Sequence, residues 1–285
     1  MGRPRIAFDT SALNALAKDG ASSVPHIKAL LSGYQVLLTA MSVDELISTE
    51  DAVVREELIA STQRLLGSGV CVWPPHEILT LHVAAHDANP GRYNWESIDI
   101  RAQLYERAII DRDFTDALCV QQQQEQQATE QQFMGIWDSL RSKLDPLFAA
   151  DPAKRPQNYR QAVKIALTGT PNVLLGIGQG LYRHVTKKDL TDAEIDAFMA
   201  ICPPFRAACY GLLGSWYDVS LAPAVFKKLA GRNDQMMSIY LPYCSRFVTR
   251  DKKQLERLRD VAVEAQITCD VSYFDEFMGS FSVTV

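Results

Sequence analysis

The sequence predicts an α/β fold, a three-layer α/β/α domain with a central parallel sheet that is interrupted by a large α-helical insertion. Three observations support this prediction. Short apolar strands alternate with amphipathic helices near both ends of the chain, this alternation is lost between residues 66 and 221, and 47 % of the 285 residues are hydrophobic. Alternating strands and helices are typical of parallel sheets covered by helices.

The first elements are a strand, a tight turn and a helix. Residues 5–8 form a short apolar run that ends at Asp9, and Ser11 then opens a helical segment that Gly20 closes. A second strand is predicted at residues 35–39, because its continuous apolar character is typical of a buried parallel strand.

The next helix is predicted to begin at Ser42. Ser42 and Glu45 have the spacing of a capping box, in which each side chain bonds the backbone of the other residue. Met41 and Leu46 stand where a hydrophobic staple would hold this helix start.

Helical patterns broken by prolines dominate residues 66–221, which we expect to be the insertion. Residues 1–65 and 222–285 would then form one discontinuous core. The glutamine-rich stretch at residues 121–132 favours a solvated helix face, because Gln and Glu are good helix formers.

The strand–helix alternation returns near the C-terminus. A helix is predicted from Asn233-Asp234, a strand at residues 246–249, and a helix that Asp251 caps. Ile267, Cys269 and Val271 alternate as a last strand.

Composition limits the function. The 29 Lys and Arg against 34 Asp and Glu give a net charge of −5, which argues weakly against a nucleic-acid partner. The six cysteines contain no CxxC pair and are expected to be reduced thiols. No targeting sequence and no apolar run long enough to cross a membrane is found, so we expect a soluble, cytoplasmic protein with no membrane partner.

Four acids take similar positions relative to the predicted strands and helices: Asp9, Glu45, Asp234 and Asp251. Residues at the carboxyl ends of parallel strands meet in the crevice where such sheets bind ligands. Crowded carboxylates repel one another unless cations neutralise them, and Mg²⁺ or Mn²⁺ suits oxygen ligands. The pattern therefore predicts metal-assisted phosphodiester hydrolysis.

At these residues the sequence resembles the PIN-domain nuclease family. The matching segments are residues 5–13, 42–46, 233–234 and 247–252, which lie within roughly the first 65 and the last 60 residues. The resemblance implies a PIN-like fold and a Mg²⁺- or Mn²⁺-dependent ribonuclease in which the four acids hold the metal and are the catalytic residues. It also implies supporting roles for Thr10, Ser11 and Thr249. PIN domains are usually compact, whereas here 189 positions separate Glu45 from Asp234.

Each acid also has a structural interpretation. Glu45 and Asp251 would serve as helix caps, Asp234 would favour a helix start, and Asp9 would bond the following turn. Asp44 is an alternative to Glu45, although the capping box would turn it towards solvent.

The basic residues between Arg246 and Arg259 outnumber the acidic ones by six to two. They predict either phosphate contacts beside the metal site or an ordinary solvated helix face. The predicted RNA-binding residues are Arg250, Lys252, Lys253 and Arg257.

Two other motifs favour structural roles. His82 and His86 are four positions apart, but no H-E-x-x-H motif supports a zinc site. The glycines at 176, 178 and 180 lack the third glycine of a dinucleotide fingerprint and predict a turn or close helix packing.

Two other functions remain open at this stage. One is a catalytically inactive PIN-like scaffold that binds RNA or protein and whose insertion covers the site. The other is a phosphatase of the haloacid dehalogenase type, which Ser11 disfavours because it replaces the second aspartate of the D-x-D motif.

The expected partner is RNA, although the residues do not separate RNA from DNA. Small bacterial PIN nucleases are often toxins held by a cognate antitoxin, so the resemblance also raises an antitoxin-like partner; a homodimer stays open.

Overall fold

The structure, a computed structural model, describes residues 3–18, 23–112, 116–169, 172–221 and 232–280. It is a mixed α/β fold with one five-stranded parallel sheet, in the order β3-β2-β1-β4-β5. The strands are β1 (Arg5–Phe8), β2 (Gln35–Thr39), β3 (Val70–Val72), β4 (Arg246–Thr249) and β5 (Asp270–Tyr273). The predicted α/β class and parallel sheet are confirmed.

Fourteen α-helices occur among the described residues. They are α1 (Thr10–Lys18), α2 (Ser23–Gly33), α3 (Ala40–Ile47), α4 (Ala52–Leu66), α5 (Pro75–Ala88), α6 (Gln103–Asp111), α7 (Asp116–Ala150), α8 (Tyr159–Thr168), α9 (Val173–Thr186), α10 (Asp192–Ile201), α11 (Pro203–Ser220), α12 (Arg232–Met236), α13 (Lys252–Glu264) and α14 (Phe274–Ser280). A 3-10 helix, Met237–Tyr243, joins α12 to the segment before β4.

The central strand β1 is where the strand order changes direction. β2 and β3 follow on one side of β1, while β4 and β5 lie on the other side and come from the far end of the chain. In parallel sheets, the crevice beside such a reversal, at the carboxyl ends of the strands, is where ligands bind. Asp9 follows β1 at this edge.

Helices cover both faces of the sheet. On one face, Ala7 and Phe247 share a core with residues of α5, α8–α11 and α13. On the other face, Phe8 and Val248 share a core with residues of α1–α4 and α14. The successive side chains of each strand therefore enter different cores, as the period of two requires.

Residues 66–221 supply much of one helical layer and also one strand. A purely helical segment was predicted there, but β3 pairs in parallel with β2 at Leu38 and Cys71. A strand of three residues is too short for its sequence to show the two-residue alternation that is typical of strands. Gly69 lets this strand approach β2, because a Cβ at that position would lie 2.7 Å from the Val36 carbonyl oxygen.

Helix α3 begins earlier than predicted. It starts at Ala40, and its N-cap is Thr39, whose hydroxyl accepts a hydrogen bond from the Ser42 amide at 3.1 Å. The predicted capping box between Ser42 and Glu45 is therefore wrong. Ser42 is fully buried within α3. Glu45 does not cap the start of this helix.

The last strand is also shifted. Gln266 ends the turn after α13 with a φ of 53°, and the Ile267 amide bonds back to the Ala262 carbonyl. Ile267 and Cys269 consequently lie in the turn before β5 rather than in a strand.

Helix α7 crosses from one face of the sheet to the other. Near its start, Cys119 is buried in the core shared with α1–α4, whereas Trp137, Leu140 and Leu144 pack against the opposite core. A helix of 35 residues is about 50 Å long, which is enough to pass over the edge of a sheet. The predicted helical state of residues 121–132 is confirmed within it.

No single helix in the described ranges is long and apolar enough to cross a membrane. Helices α10 and α11 satisfy the length and composition test only as a pair, and they are bent by 115° at their junction.

Candidate functional site

Asp9 is a buried carboxylate at the carboxyl end of the central strand. Only 4 % of the residue is exposed. Its side chain accepts hydrogen bonds from the Ala12 amide at 2.8 Å, the Ser11 hydroxyl at 2.9 Å and the Thr249 hydroxyl at 2.6 Å. A helix start and two neighbouring strands thus hold one carboxyl group in place.

The electrostatic surroundings of Asp9 disfavour its charge. Burial raises the pKa of Asp9 to about 6, and the nearby charge of Glu45 adds to this rise, while the hydrogen bonds from Thr249, Ala12 and Ser11 oppose it. Glu45, which follows β2, therefore lies close enough to Asp9, which follows β1, to influence its pKa.

The predicted supporting residues differ in their contacts. The Ser11 hydroxyl also accepts a hydrogen bond from the Arg250 amide at 2.8 Å, and the Thr249 hydroxyl accepts one from the Asp251 amide at 3.0 Å. These bonds tie the turn after β4 to the turn after β1. The Thr10 hydroxyl is buried without a hydrogen-bond partner among the described residues.

Glu45 and Asp234 line one cavity of about 830 Å³. The elements after the carboxyl ends of β2 and β3 form one side of it, through α3 and the start of α5, and α7 forms the opposite wall. Its other acidic lining residues are Asp44, Glu125, Glu130 and Asp138. The cavity is therefore strongly acidic, and His76 is the only basic residue in its described lining.

Asp44 faces this cavity and does not point to solvent as the capping box predicted. Burial raises the pKa of Asp44 to about 7, the charges of Glu45 and Glu125 add to the rise, and a hydrogen bond from Tyr105 opposes it. Two adjacent acids on α3, together with one on α7, thus crowd the same space.

Asp251 serves as the N-cap of α13, as its structural interpretation predicted. Its Oδ1 accepts hydrogen bonds from the amides of Lys253 at 2.7 Å and Gln254 at 3.0 Å. The residue is exposed, it does not line the acidic cavity, and its backbone connects to Asp9 through Thr249.

Carboxylate oxygens are suitable ligands for a hard divalent cation. Glu45 and Asp234 line the acidic cavity, whereas Asp9 and Asp251 are not among its lining residues. Within the described ranges, no three His, Cys, Asp or Glu side chains are already close enough to one another to hold a metal ion.

The predicted RNA-binding residues divide into two groups. Arg250, Lys252 and Lys253 are exposed. Arg250 lies 3.4 Å from a carboxylate oxygen of Asp275.

Arg257 instead points into the helical layer. It donates a 2.6 Å hydrogen bond to Asp218 and stacks near the rings of Tyr159 and Tyr217. Its contacts are those of a structural residue, because its side chain is only 17 % exposed.

His82 is satisfied by neutral partners, in agreement with its structural interpretation. The Tyr93 hydroxyl donates to the Cys202 sulfur, so His82 Nδ1 carries the proton that Tyr93 accepts, and Nε2 accepts from Tyr243. Burial lowers the pKa of His82 to about 4.

His86 and the glycine motif also have structural roles. His86 contacts the rings of Tyr182 and Phe198. The glycine motif lies inside α9, where Gly178 packs closely against Ile195 of α10, which confirms close helix packing.

The sequence did not predict that α7 forms one wall of the cavity. Gln123 donates a hydrogen bond to the Ser48 carbonyl, and the Ser48 hydroxyl donates to Gln126, so this helix is docked against the end of α3. The glutamine-rich composition marked a helix but gave no signal of which residues it faces.

Comparisons with family models, curated proteins and solved structures found no match to this chain.

Proposed function

We propose that the protein is a Mg²⁺- or Mn²⁺-dependent ribonuclease that hydrolyses RNA phosphodiesters at the carboxyl edge of its sheet. The observation that carries the proposal is the Asp9 carboxylate, buried at the centre of that edge, oriented by three hydrogen-bond donors and influenced by the charge of Glu45. Burial of a carboxylate close to a second acid costs free energy of folding, which hydrogen bonds offset in part and a bound cation would offset further.

The chemistry of the available side chains suits a divalent cation. Asp9, Glu45 and Asp234 would hold it, and Asp251 would contribute through Oδ2, because its Oδ1 caps α13. When bound, such an ion supplies a hydroxide from water and neutralises charge on a phosphoryl oxygen. Burial is the main cause of the raised pKa of Asp9 and Asp44, and a cation would relieve the additional repulsion from Glu45.

The chain's own residues would orient this chemistry. Ser11 and Thr249 fix the plane of the Asp9 carboxylate, because both hydroxyls bond it directly. The four residues after Thr249 include three exposed cations, Arg250, Lys252 and Lys253. Their charged groups would contact RNA phosphates.

A second candidate function has its own observation. Glu125, Glu130 and Asp138 on α7 line the cavity opposite Glu45 and Asp234, so the wall repels phosphate as it stands. A non-catalytic protein that binds RNA or another protein, with α7 covering the former active site, is consistent with this acidity.

Cleavage assays distinguish the two. Purified wild-type protein is incubated with structured and single-stranded RNAs in Mn²⁺, in Mg²⁺ and in chelator, beside Asp9→Asn and Asp234→Asn. Glu256→Gln is the matched control, since Glu256 is exposed on α13 and does not line the cavity. We expect metal-dependent cleavage by wild type and control only.

Equal cleavage by all variants, or cleavage that survives chelation, would contradict the nuclease proposal. RNA or protein binding that persists in both acid variants, without cleavage by any protein, would support the second candidate.

A further inference from the structure

Two cysteine thiols meet at the amino ends of the strands, opposite the carboxyl ends where Asp9 lies. Cys244 precedes β4 and Cys269 precedes β5, and their sulfur atoms are 3.7 Å apart. The two strands are adjacent and parallel, and the Asp270 amide bonds the Ser245 carbonyl beside the pair. This backbone hydrogen bond holds the two chain segments that carry the sulfurs side by side.

The two thiols have different access to solvent. Cys244 is 4 % exposed, and its thiol lies 3.5 Å from the Tyr240 carbonyl oxygen. Cys269 is partly exposed, and its chain neighbours Thr268 and Asp270 are exposed. The hydrogen bond with Cys269, together with burial, raises the pKa of the Cys244 thiol and keeps it protonated. Cys269 is consequently the thiol that a dissolved reagent meets first.

The other four cysteines lack this arrangement. Cys71, Cys119, Cys202 and Cys209 are buried. Across the part of the chain that the structure describes, no other two cysteine sulfurs lie within hydrogen-bonding distance. Among the described cysteines, the pair Cys244 and Cys269 thus combines a short distance between sulfur atoms with access of one thiol to solvent.

We propose that Cys244 and Cys269 form a redox-active dithiol that small disulfides, such as oxidised glutathione, convert to an intramolecular disulfide. The Cys269 thiolate attacks one sulfur of the small disulfide, which forms a mixed disulfide and releases one thiol. The Cys244 sulfur then loses its proton and attacks Cys269, which expels the second thiol. Two protein thiols are oxidised and one small disulfide is reduced to two thiols.

The geometry requires only a modest movement. The sulfur atoms must approach from 3.7 Å to the S–S bond length of about 2 Å, and the two residues lie in the segments that lead into the neighbouring strands β4 and β5.

Oxidation would close a loop that contains β4, the turn after it and α13. A loop of this length loses conformational entropy in the unfolded chain, so we expect the disulfide to raise the Tm by about 5 °C.

The test is oxidation of the purified full-length protein with an excess of oxidised glutathione. Thiol titration, peptide mapping by mass spectrometry and thermal unfolding follow, with and without a reductant. We expect wild type to fall from six titratable thiols to four, to give a Cys244–Cys269 cross-linked peptide, and to unfold at a higher temperature until reduced.

Two variants make the result specific. Cys269→Ser changes the partly exposed partner and should form no intramolecular disulfide. Cys119→Ala removes a buried cysteine outside the pair and should still form the cross-link. Retention of all six thiols by oxidised wild type, or a cross-link that survives in Cys269→Ser, would overturn the proposal.

Discussion

Asp9 and His82 are both buried titratable residues, and both are held by hydroxyl groups, yet their surroundings differ. His82 has neutral partners only, and burial alone lowers its pKa. Asp9 has hydroxyl and amide donors too, but Glu45 lies near enough to raise its pKa further, and Glu45 lines a cavity with additional acids.

This difference separates a structural residue from a candidate site. The partners of His82 complete its hydrogen bonds and leave no charge to balance. The partners of Asp9 complete its hydrogen bonds as well but leave a local excess of negative charge, which a cation would neutralise.

The largest expected effect is on activity. Asp9→Asn should lower RNA cleavage by more than about 100-fold, since even residues that only support a metal ligand contribute 10–100-fold. Its free energy of unfolding should change little, because the amide oxygen still accepts from the Ala12 amide and the charge is lost. Initial cleavage rates and urea unfolding measure the two properties. A variant that unfolds while the residual folded protein cleaves normally would make Asp9 a structural residue like His82.

The next effect is on stability. His82→Phe should lower the free energy of unfolding by about 3 kcal/mol, because the buried Tyr243 hydroxyl loses its acceptor and Tyr93 loses a donor. Urea unfolding measures this, with the exposed His184→Phe as the control that should stay within about 0.5 kcal/mol of wild type. Equal losses in the two variants would show that the tyrosine contacts contribute nothing.

A smaller effect is expected from pH. The pKa of His82 is lowered to about 4 in the folded protein, so the unfolded state binds the proton more tightly. The stabilisation is present above the ordinary value of 6.5 and is lost as the pH falls towards 4. Between about pH 7 and about pH 5, the contribution of His82 should fall by about 2 kcal/mol.

Unfolding curves of wild type and His82→Phe at several pH values test this contribution. The stability difference between the two proteins should narrow as the pH falls. A constant difference for His82→Phe would contradict the burial of a neutral imidazole.

The smallest effect is expected at Thr249. Thr249→Val removes the hydroxyl that donates to Asp9 and accepts from the Asp251 amide, and it should cost about 1 kcal/mol of stability. It should also raise the pKa of Asp9 further, because one opposing hydrogen bond is lost. Thr268→Val, at an exposed position, is the matched control in the same urea titration. Identical midpoints would mean that this hydroxyl does not hold the carboxylate.

The sequence predicted the strands that carry the site better than it predicted the walls around them. The strands before Asp9 and before Arg250 were found because each is a short apolar run followed by a polar turn. The start of α3 was misplaced because Thr39 and Ser42 are both good N-cap residues three positions apart, and only burial decides between them.

The α7 wall could not be predicted from the sequence for a different reason. The contact between Ser48 and Gln126 joins residues 78 positions apart, and both side chains are polar, so no hydrophobic period indicates it. The crowding of Asp44 by Glu125 follows from the same long-range docking.

The pairing of β1 with β4 has a consequence for the timing of folding. Thr249 reaches Asp9 across 240 positions of the chain. At a translation rate of about 5–20 residues per second, the Asp9 carboxylate waits on the order of 10–50 s during synthesis before its strongest donor is made. Long-range parallel pairings also form slowly. The N-terminal part of the new chain therefore holds the Asp9 carboxylate without its Thr249 hydrogen bond until nearly the whole chain has been made.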